Sequence, residues 1–430
     1  MRKYRIGISF RDFSVGGIQR VVASLVPLFQ KEGWEVVLLT RNDASKDAIA
    51  TFGNARRYVI GSHDGGERQR RMAKCIQDEH LDVVILHEYY LPCLEADILA
   101  VRSTGAKAIV HYHNVFSNLF VKAPTRLDIR AHYRMVGKAD FVIALSRTDK
   151  RFFDLMGMRA RYIPNPVRDR PDGVPFAPGG GMTILWAGRF SEDVKRPLEM
   201  LKIFSKVRGI LPAARLIMLG DGDLKTVSEL RRYLRESNIP EGSVHMPGFV
   251  PDCWDYLHDA SVFVSTSRVE GFPCMFAEAM AAGVPIVSYA LDYIELFRGE
   301  QLSYLRAEQG DVDGAAAHII RILQDKGLAE KIRTVARKRF EFFADYDLIA
   351  AYRNLFAEVF EGEDSSKPAE EESALVLQTL VSHACCCHES NGRTGSRQVK
   401  GLLGRVIKCW HDEGPLYTLK RMLALGRRHD

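Results

Sequence analysis

The stretch that decides the fold is residues 269–287, which read VEGFPCMFAEAMAAGVPIV. Pro273 has no backbone N–H and a fixed φ, so it suits the first position of a helix. The residues that follow are small, apolar or helix-forming as far as Gly283, which can end the helix. Pro285 then prevents the helix from continuing. The stretch therefore predicts one short helix that begins and ends at defined residues.

Apolar segments flank this helix on both sides. SVFVSTS (261–267) precedes it and VPIVSYA (284–290) follows it, and each has the composition of a strand. A strand, a helix and a second strand in this order form the βαβ unit of a parallel sheet. Glu270 is then expected in the loop at the carboxyl end of the first strand, and Glu278 in the body of the helix.

These two glutamates admit two interpretations. In the functional one, the helix N-terminus beside Glu270 attracts an anion such as a phosphate, and Glu278 accepts hydrogen bonds from sugar hydroxyls. In the structural one, Glu270 only complements the helix dipole and Glu278 is a solvated surface residue. This stretch alone does not separate the two, so other segments must.

The rest of the chain repeats the alternation of strands and helices. Two series of short apolar strands are separated by the Pro/Gly-rich segment DRPDGVPFAPGGG (169–181). The first series comprises YRIGISF, EVVLLT, RRYVI, LDVVILHE, AKAIVHYHN and FVIALS, and the second MTILWAG, ARLIMLGDG, SVHMPGF, SVFVSTS, VPIVSYA and LSYLRAE. This pattern predicts an α/β fold of two doubly wound, Rossmann-like domains facing a cleft, with ligands at the carboxyl ends of the strands.

The same alternation and the local composition predict the domain boundaries. A long helical stretch from about Asp311 to Phe360 closes the second series, and an acidic segment and a basic segment follow it. The expected parts are a first Rossmann-like domain (1–168), a second (169–345), a returning helix (346–362), an acidic flexible linker (363–392) and a basic amphipathic helical tail (393–430).

Length and composition are those of a globular protein. The chain has 430 residues, of which 46% are apolar and 27% charged, enough for two or three full-sized cores. No apolar run approaches the roughly 20 residues needed to cross a bilayer, and the N-terminus runs directly into a strand without a signal peptide. Eight cysteines without paired spacing favour a reducing cytoplasm. A net charge of +6 is too small to indicate nucleic-acid binding.

Three further motifs fall at predicted strand ends. Gly16-Gly17 allows a close backbone approach or a tight turn into a helix, but it is not the dinucleotide-binding G-x-G-x-x-G. In GRFSEDVKRP (188–197), Arg189 and Lys195 follow the turn at Gly188, which favours a diphosphate clamp over the alternative of two surface cations on a loop.

The third motif is HYHN (111–114). Strand alternation points His111 and His113 to the same side, where one can face a ligand and the other can support it. In GDGDL (220–224), Asp221 and Asp223 are expected to satisfy backbone donors rather than a metal. HACCCH (383–388) has ligand-type residues but lacks a second cluster at zinc spacing.

Taken in order, GGIQR, HYHN, GRFSEDVK, GDGD and the E-x7-E segment resemble the family-4 retaining glycosyltransferases of the GT-B fold over about residues 4–360. Gln19 stands where that family usually has a Glu, and the spacing from Arg189 to Lys195 is longer than its commonest form. The resemblance implies an acceptor domain first and a nucleotide-sugar donor domain second. It also implies that helix 346–362 crosses back to the first domain.

The resemblance further implies a role for each motif. Glu270 lies by the donor sugar, Glu278 takes the ribose, Arg189 and Lys195 hold the diphosphate, and His113 lies close to the transferred sugar. The donor-binding residues implied are Gly16, Gly17, Gly188, Arg189, Lys195, Glu270, Gly271, Phe272, Pro273, Cys274, Met275 and Glu278, with no metal and no cofactor. The catalytic residues implied are His113, Glu270, Arg189 and Lys195.

The implied enzyme is a hexosyltransferase-type, metal-independent enzyme. It moves a sugar from a nucleotide-diphosphate sugar, a UDP-sugar before a GDP-sugar, to a glycan or lipid-linked acceptor in polysaccharide, lipopolysaccharide or capsule synthesis. The alternatives are a sugar-nucleotide epimerase, a phosphorylase on the same scaffold, or a non-catalytic interaction protein. The tail carries nine Lys/Arg against three Asp/Glu. It is therefore expected either to bind an anionic membrane, as a peripheral protein on the inner face, or to pack on the enzyme itself.

Overall fold

The computed structural model describes residues 3–362 and 372–380, apart from 14–15, 44–51, 63, 88–92, 119–125, 174–175, 177–180, 238, 292, 300–302, 374 and 377. It divides into two compact units, Met1–Asn165 with Asp347–Asp430, and Pro166–Tyr346. The sequence expectation had placed these divisions at 168/169 and 345/346.

The first unit is built on a seven-stranded sheet. Its strands are β1 (Arg5–Phe10), β2 (Glu35–Thr40), β3 (Arg56–Val59), β4 (Val83–Leu86), β5 (Lys107–Tyr112), β6 (Phe141–Ala144) and β7 (Ala160–Tyr162). The helices between them are α1 (Gly17–Lys31), α2 (Gly65–Asp78), α3 (Leu94–Ser103), α4 (Arg126–Val136) and α5 (Arg147–Leu155). All neighbouring strands are parallel, in the order β3-β2-β1-β4-β5-β6-β7.

The second unit repeats this plan with six strands. They are β8 (Thr183–Ala187), β9 (Arg215–Leu219), β10 (Val244–Gly248), β11 (Val262–Ser265), β12 (Ile286–Tyr289) and β13 (Leu305–Ala307). The helices are α6 (Pro197–Ile210), α7 (Leu224–Glu236), α8 (Trp254–Asp259), α9 (Cys274–Ala282), α10 (Val312–Gln324) and α11 (Lys326–Ala344). The parallel order is β10-β9-β8-β11-β12-β13.

Both sheets reverse their winding direction at one point. In the first unit the reversal falls between β1 and β4, and in the second between β8 and β11. In doubly wound sheets, ligands bind at this switch point, outside the carboxyl ends of the strands. The predicted fold of two Rossmann-like domains is confirmed, and it assigns one switch point to each unit.

One strand was not predicted. Residues 160–162, which no predicted strand covers, pair with β6 as β7, with Val142 opposite Ala160. Three residues carry too little periodicity to be recognised in a sequence, and the edge of the sheet supplies their hydrogen bonds. Asn165 and Pro166, where the two units divide, follow closely.

The helical stretch from about Asp311 to Phe360 consists of three helices. Asp311, Asp325 and Asp347 each accept a hydrogen bond from a backbone N–H three residues on, and so begin α10, α11 and α12 (Leu348–Glu361). An aspartate at this position satisfies N–H groups that a continuous helix would bond internally, so each one marks a new start.

Helix α12 belongs to the first unit. Tyr352 packs edge-on against Phe29 of α1 with ring centroids 4.8 Å apart. Arg353 donates to both carboxylate oxygens of Glu32, at 2.7 and 2.6 Å. Arg161 of β7 donates to Glu358 at 2.9 and 2.6 Å. The last described helix is thus fastened to the first unit by aromatic packing and by two Arg–Glu pairs.

The expected flexible linker 363–392 departs from expectation in its middle. The described residues of 372–380 are helical. Val376 and Leu380 are 0% and 2% exposed, and Ser373 accepts a hydrogen bond from Arg151 at 2.7 Å. Apolar residues at helical spacing fold here because they bury a face on the first unit. The predicted tail, 393–430, lies outside the described residues. No described helix has the length and apolar character to span a bilayer.

Candidate functional site

The loop after β8 is folded back onto the end of β11, its neighbour at the switch point. The backbone N–H groups of Lys195 and Arg196 both donate to the Ser191 carbonyl, at 2.8 and 3.0 Å. The Thr266 hydroxyl donates to the Lys195 carbonyl at 2.7 Å and itself accepts from the Trp186 indole at 2.9 Å. The five residues between Arg189 and Lys195 therefore form a compact turn with a fixed place on the sheet.

This turn brings together two of the predicted site residues. The ammonium of Lys195 contacts a carboxylate oxygen of Glu270, and the Ser267 hydroxyl donates to the same oxygen at 2.6 Å. The side chains of Lys195 and Glu270 are 25% and 13% exposed. Glu270 is therefore bound to the Lys195 ammonium at the switch point, and both side chains remain accessible to a ligand.

Arg189 lies on the same turn and is exposed. Its neighbour Phe190 is anchored, because the Phe190 N–H donates to the Asp221 carbonyl at 2.7 Å. The guanidinium of Arg189 forms no hydrogen bond or ion pair with any residue that the structure describes. A free cation beside a Lys–Glu pair is suited to take an anionic ligand.

The GDGD segment supports this turn. Gly220 has a φ of +131°, and a Cβ there would lie 1.9 Å from the Gly188 carbonyl oxygen, so only glycine allows this approach. Asp221 accepts from the Gly222 N–H at 2.7 Å, and Asp223 caps α7 through the Thr226 N–H at 2.7 Å. Both aspartates satisfy backbone donors, as predicted.

Helix α9 carries the second glutamate. It begins at Cys274, one residue after the predicted start, because Pro273 has an extended ψ of 105° and precedes the helix as its cap. It ends where predicted, at Gly283 with a φ of +75°. Gly271, Phe272 and Pro273 are buried before the helix, and Cys274 and Met275 are half-buried at its start.

Glu278 is 2% exposed, so its interpretation as a solvated surface residue is wrong. One carboxylate oxygen lies 3.1 Å from Arg168, and the other accepts from the Cys253 thiol at 3.1 Å. Arg168 also lies over the Trp254 ring, 5.9 Å from its centroid. Arg168, Cys253 and Trp254 were not predicted as site residues, because they come from distant segments and share no motif.

The switch point of the first unit has its own polar groups. Gly16 and Gly17 follow β1 and begin α1, and a Cβ on Gly17 would meet no atom within 4 Å. Gln19 donates to the Asp12 carbonyl at 3.1 Å and so braces the loop that follows β1.

Three histidines lie together at the ends of β4 and β5. The rings of His111 and His113 stack with centroids 4.1 Å apart, so both point to one side, as strand alternation predicted. His87 Nδ1 lies 2.7 Å from His113 Nε2. His87 was missed, but the register Leu86↔Val110 explains its position, since it places the next residues, His87 and His111, side by side.

Burial keeps these imidazoles neutral. His87 and His111 are both fully buried. Desolvation lowers the pKa of His113 to about 3 and those of His87 and His111 well below the usual value. At physiological pH all three rings are uncharged, so each has one nitrogen that accepts and one that donates.

Two models of known protein families match this chain. Residues 15–170 match the family model described as Glycosyltransferase Family 4, and residues 181–325 match the model Glycosyl transferases group 1. The chain is 26% identical over 356 residues to the phosphatidyl-myo-inositol mannosyltransferase of Mycolicibacterium smegmatis, covering 78% of this chain and 88% of that protein.

Two further proteins extend the comparison. A GDP-mannose:cellobiosyl-diphosphopolyprenol alpha-mannosyltransferase of Xanthomonas oryzae is 26% identical over 306 residues, covering 66% of this chain and 77% of that protein. The crystal structure of Anabaena HepE in complex with UDP and glucose superposes with a TM-score of 0.69 at 17% identity, covering 84% of this chain and 100% of that one.

The fold, with its two Rossmann-like units, defines a protein of the GT-B class. With matching models over both units, the chain belongs to the glycosyltransferases of this fold, with a family 4 domain followed by a group 1 domain. The resemblance seen in the sequence motifs is confirmed, and the protein is an enzyme.

Proposed function

We propose that this enzyme is a retaining, metal-independent hexosyltransferase that uses a nucleotide-diphosphate sugar. The donor proposed first is a UDP-sugar, and the acceptor is a hydroxyl of a glycan or a lipid-linked glycan. The observation that carries the proposal is the pairing of Lys195 with Glu270 at the switch point of the second unit, on the same turn as the exposed Arg189, whose guanidinium has no partner among the described residues. The relatives support the acceptor class, since one is named for a phosphatidylinositol and another for a diphosphopolyprenol.

The proposed chemistry needs charge stabilisation more than acid–base catalysis. The bond between the anomeric carbon and the diphosphate oxygen breaks, and negative charge grows on the leaving phosphate. Arg189, Lys195 and the N-terminus of α9 stabilise that charge. The acceptor oxygen bonds to the anomeric carbon from the same face, and its proton passes to the departing phosphate oxygen.

The remaining residues bind the donor. Glu270 holds sugar hydroxyls from a carboxylate already oriented by Ser267 and Lys195. A carboxylate has about four acceptor positions, so Glu278 can bind ribose hydroxyls while keeping Arg168 and Cys253. The backbone from Gly271 to Met275 and Gly16-Gly17 complete the diphosphate and sugar contacts, and His113 contacts the transferred sugar.

A donor panel tests this function. The full chain is incubated with UDP- and GDP-sugars and a polyprenol-linked or glycan acceptor, and released nucleotide and the anomeric configuration of the product are measured. We expect release of one nucleoside diphosphate and retention of configuration. Glu270→Gln should lose most of this activity and keep its melting temperature. Glu308→Gln, which replaces an exposed carboxylate in the same unit, should keep its activity.

Other outcomes would identify the alternatives. Inversion at the anomeric carbon would refute the retaining mechanism. A sugar changed without release of nucleotide would indicate an epimerase, and turnover only with inorganic phosphate would indicate a phosphorylase. Full activity in Glu270→Gln would refute the assigned role of Glu270, and absence of donor binding across the panel would indicate a non-catalytic protein.

Chelation should leave the proposed reaction intact. Since Arg189, Lys195 and a helix N-terminus supply the positive charge, turnover in excess EDTA should equal or exceed turnover without it. Initial rates with and without EDTA, each with and without added Mg²⁺, measure this. Complete loss in EDTA with recovery in Mg²⁺ would contradict metal independence.

We also propose a cytoplasmic enzyme that binds the inner face of the membrane through its basic tail, 393–430. Nearby cations contribute about 1 kcal/mol each on an anionic surface, to which apolar burial adds. Truncation after 392 should abolish cosedimentation with phosphatidylserine-containing vesicles at low salt and leave donor hydrolysis unchanged. If the full chain ignores these vesicles, or truncation unfolds the enzyme, the tail packs on the protein.

A further inference from the structure

The three-histidine cluster of the first unit has more binding capacity than its contacts use. Within the part of the chain that the structure describes, neither ring nitrogen of His111 has a hydrogen-bond partner. Of the two ring nitrogens of His87, only Nδ1 has one, and that partner is His113. Both side chains are fully buried. Buried polar groups are almost always satisfied, by protein, by water or by an ion, so buried nitrogens without a described partner indicate a ligand.

The geometry of the cluster fits a metal ion. One ring nitrogen from each of His87, His111 and His113 can be chosen so that all three lie within 4.8 Å of one another. Zinc binds imidazole nitrogen at about 2.0–2.1 Å in tetrahedral geometry, which places neighbouring ligand atoms about 3.4 Å apart. The His87–His113 contact of 2.7 Å and the 4.8 Å limit bracket that spacing.

The backbone holds the three ligands in place. His111 and His113 lie on one side of β5, and the pairing of β4 with β5 places His87 beside His111. His113 is the ligand that remains partly exposed, so ions can enter from its side.

We propose that His87, His111 and His113 bind one divalent transition-metal ion of the Zn²⁺ class, through one ring nitrogen each. Imidazole suits Zn²⁺, Cu²⁺ and Ni²⁺, whereas Mg²⁺ and Ca²⁺ require oxygen ligands, and the described cluster offers none. Three protein ligands leave a fourth position for water or another small ligand.

The consequence for catalysis rests on the proposed function. If His113 contacts the transferred sugar, a bound ion withdraws its ring nitrogen from that contact. The ion is then an inhibitor rather than a cofactor, and EDTA restores activity. Zinc binding itself does not depend on this role and can be measured without donor or acceptor.

The test uses the full chain, treated with EDTA and desalted, and titrated with Zn²⁺ against a chromophoric chelator. The Cys-rich segment 383–388 is a competing source of ligands, so Cys385→Ser/Cys386→Ser/Cys387→Ser is the background for every measurement. We expect one Zn²⁺ per chain in this background. His111→Phe and His87→Gln should each weaken Zn²⁺ binding by at least about 10²-fold. Loss of a residue that only supports a metal ligand costs up to about 10²-fold in affinity, and loss of a ligand itself should cost no less. His245→Ala, an exposed histidine, should not.

A Co²⁺ spectrum provides a readout that does not depend on a variant folding. Cobalt in an imidazole site gives visible d–d bands without the near-ultraviolet thiolate charge-transfer band. Absence of a stoichiometric ion in the Cys385→Ser/Cys386→Ser/Cys387→Ser background, or retention of full affinity by both folded histidine variants, would overturn the proposal. Zn²⁺ binding without inhibition of an active enzyme would keep the site and refute only the withdrawal of His113.

Discussion

Replacing Lys195 by Ala is expected to slow sugar transfer by roughly 10²–10³-fold, the effect of removing one preorganised donor from a developing anion. Lys195 contacts Glu270 and is held by the backbone of Ser191 and by Thr266. Such a cation needs little reorganisation when the leaving diphosphate gains charge. Arg189→Ala should fall in the same range, because its exposed guanidinium has no described partner to lose and acts only on a ligand.

Stability should change little in these variants. Partly exposed ion pairs contribute about 0–1 kcal/mol, so the melting temperature of Lys195→Ala should stay close to that of the parent. Lys202→Ala, which removes an exposed cation from α6, is the matched control and should transfer sugar normally. Single-turnover rates and nucleoside-diphosphate affinities report the two effects separately. Unchanged turnover in both Lys195→Ala and Arg189→Ala would remove the diphosphate clamp from the proposed function.

Asp97→Ala is expected to destabilise the first unit by about 3–5 kcal/mol, because it breaks a buried ion pair by removing the carboxylate to which a buried guanidinium donates two hydrogen bonds. Arg68 of α2 donates to both oxygens of Asp97 in α3, at 2.8 and 2.7 Å. Their side chains are 3% and 2% exposed. This pair joins the two helices that flank β4 in the chain. It therefore supports β4, the strand that His87 follows.

Denaturant unfolding monitored by circular dichroism measures this effect. Replacing both partners by apolar residues, Arg68→Met with Asp97→Leu, should recover most of the lost free energy, since no unpaired charge remains buried. A surface pair of the same type, Lys74 with Asp78 in α2, is the control, and Asp78→Ala should cost less than about 1 kcal/mol. A free energy of unfolding for Asp97→Ala within about 1 kcal/mol of the parent would contradict the buried-pair account.

Local signals were sufficient to predict the repeating part of the fold. Gly283 ends α9 because its φ of +75° is open to glycine, and the apolar runs on either side are strands because they are buried on both faces. The strand-to-helix alternation then determines a parallel sheet, and a doubly wound sheet has a switch point. The loops that carry Gly17, Arg189, Lys195 and Glu270 could therefore be found without coordinates.

Other parts of the fold could not be predicted from local sequence. Strand β7 is three residues long and forms because β6 offers an edge. The acidic composition of 363–392 predicted a linker, but Val376 and Leu380 are buried on the first unit, and only a folded partner could supply that surface. The long helical stretch was divided by Asp325 and Asp347, whose caps show in a sequence only after the helix ends are known.

The chemical groups at the strand ends follow from local sequence alone: a carboxylate before a helix, two cations after a strand, and a histidine pair on one side of β5. Tertiary structure decided which of them meet. It joined Lys195 to Glu270, buried Glu278 between Arg168 and Cys253, and placed His87 against His113. Backbone propensity and periodicity act over a few residues, whereas these contacts depend on strand register and loop closure between residues from 25 to more than 100 positions apart.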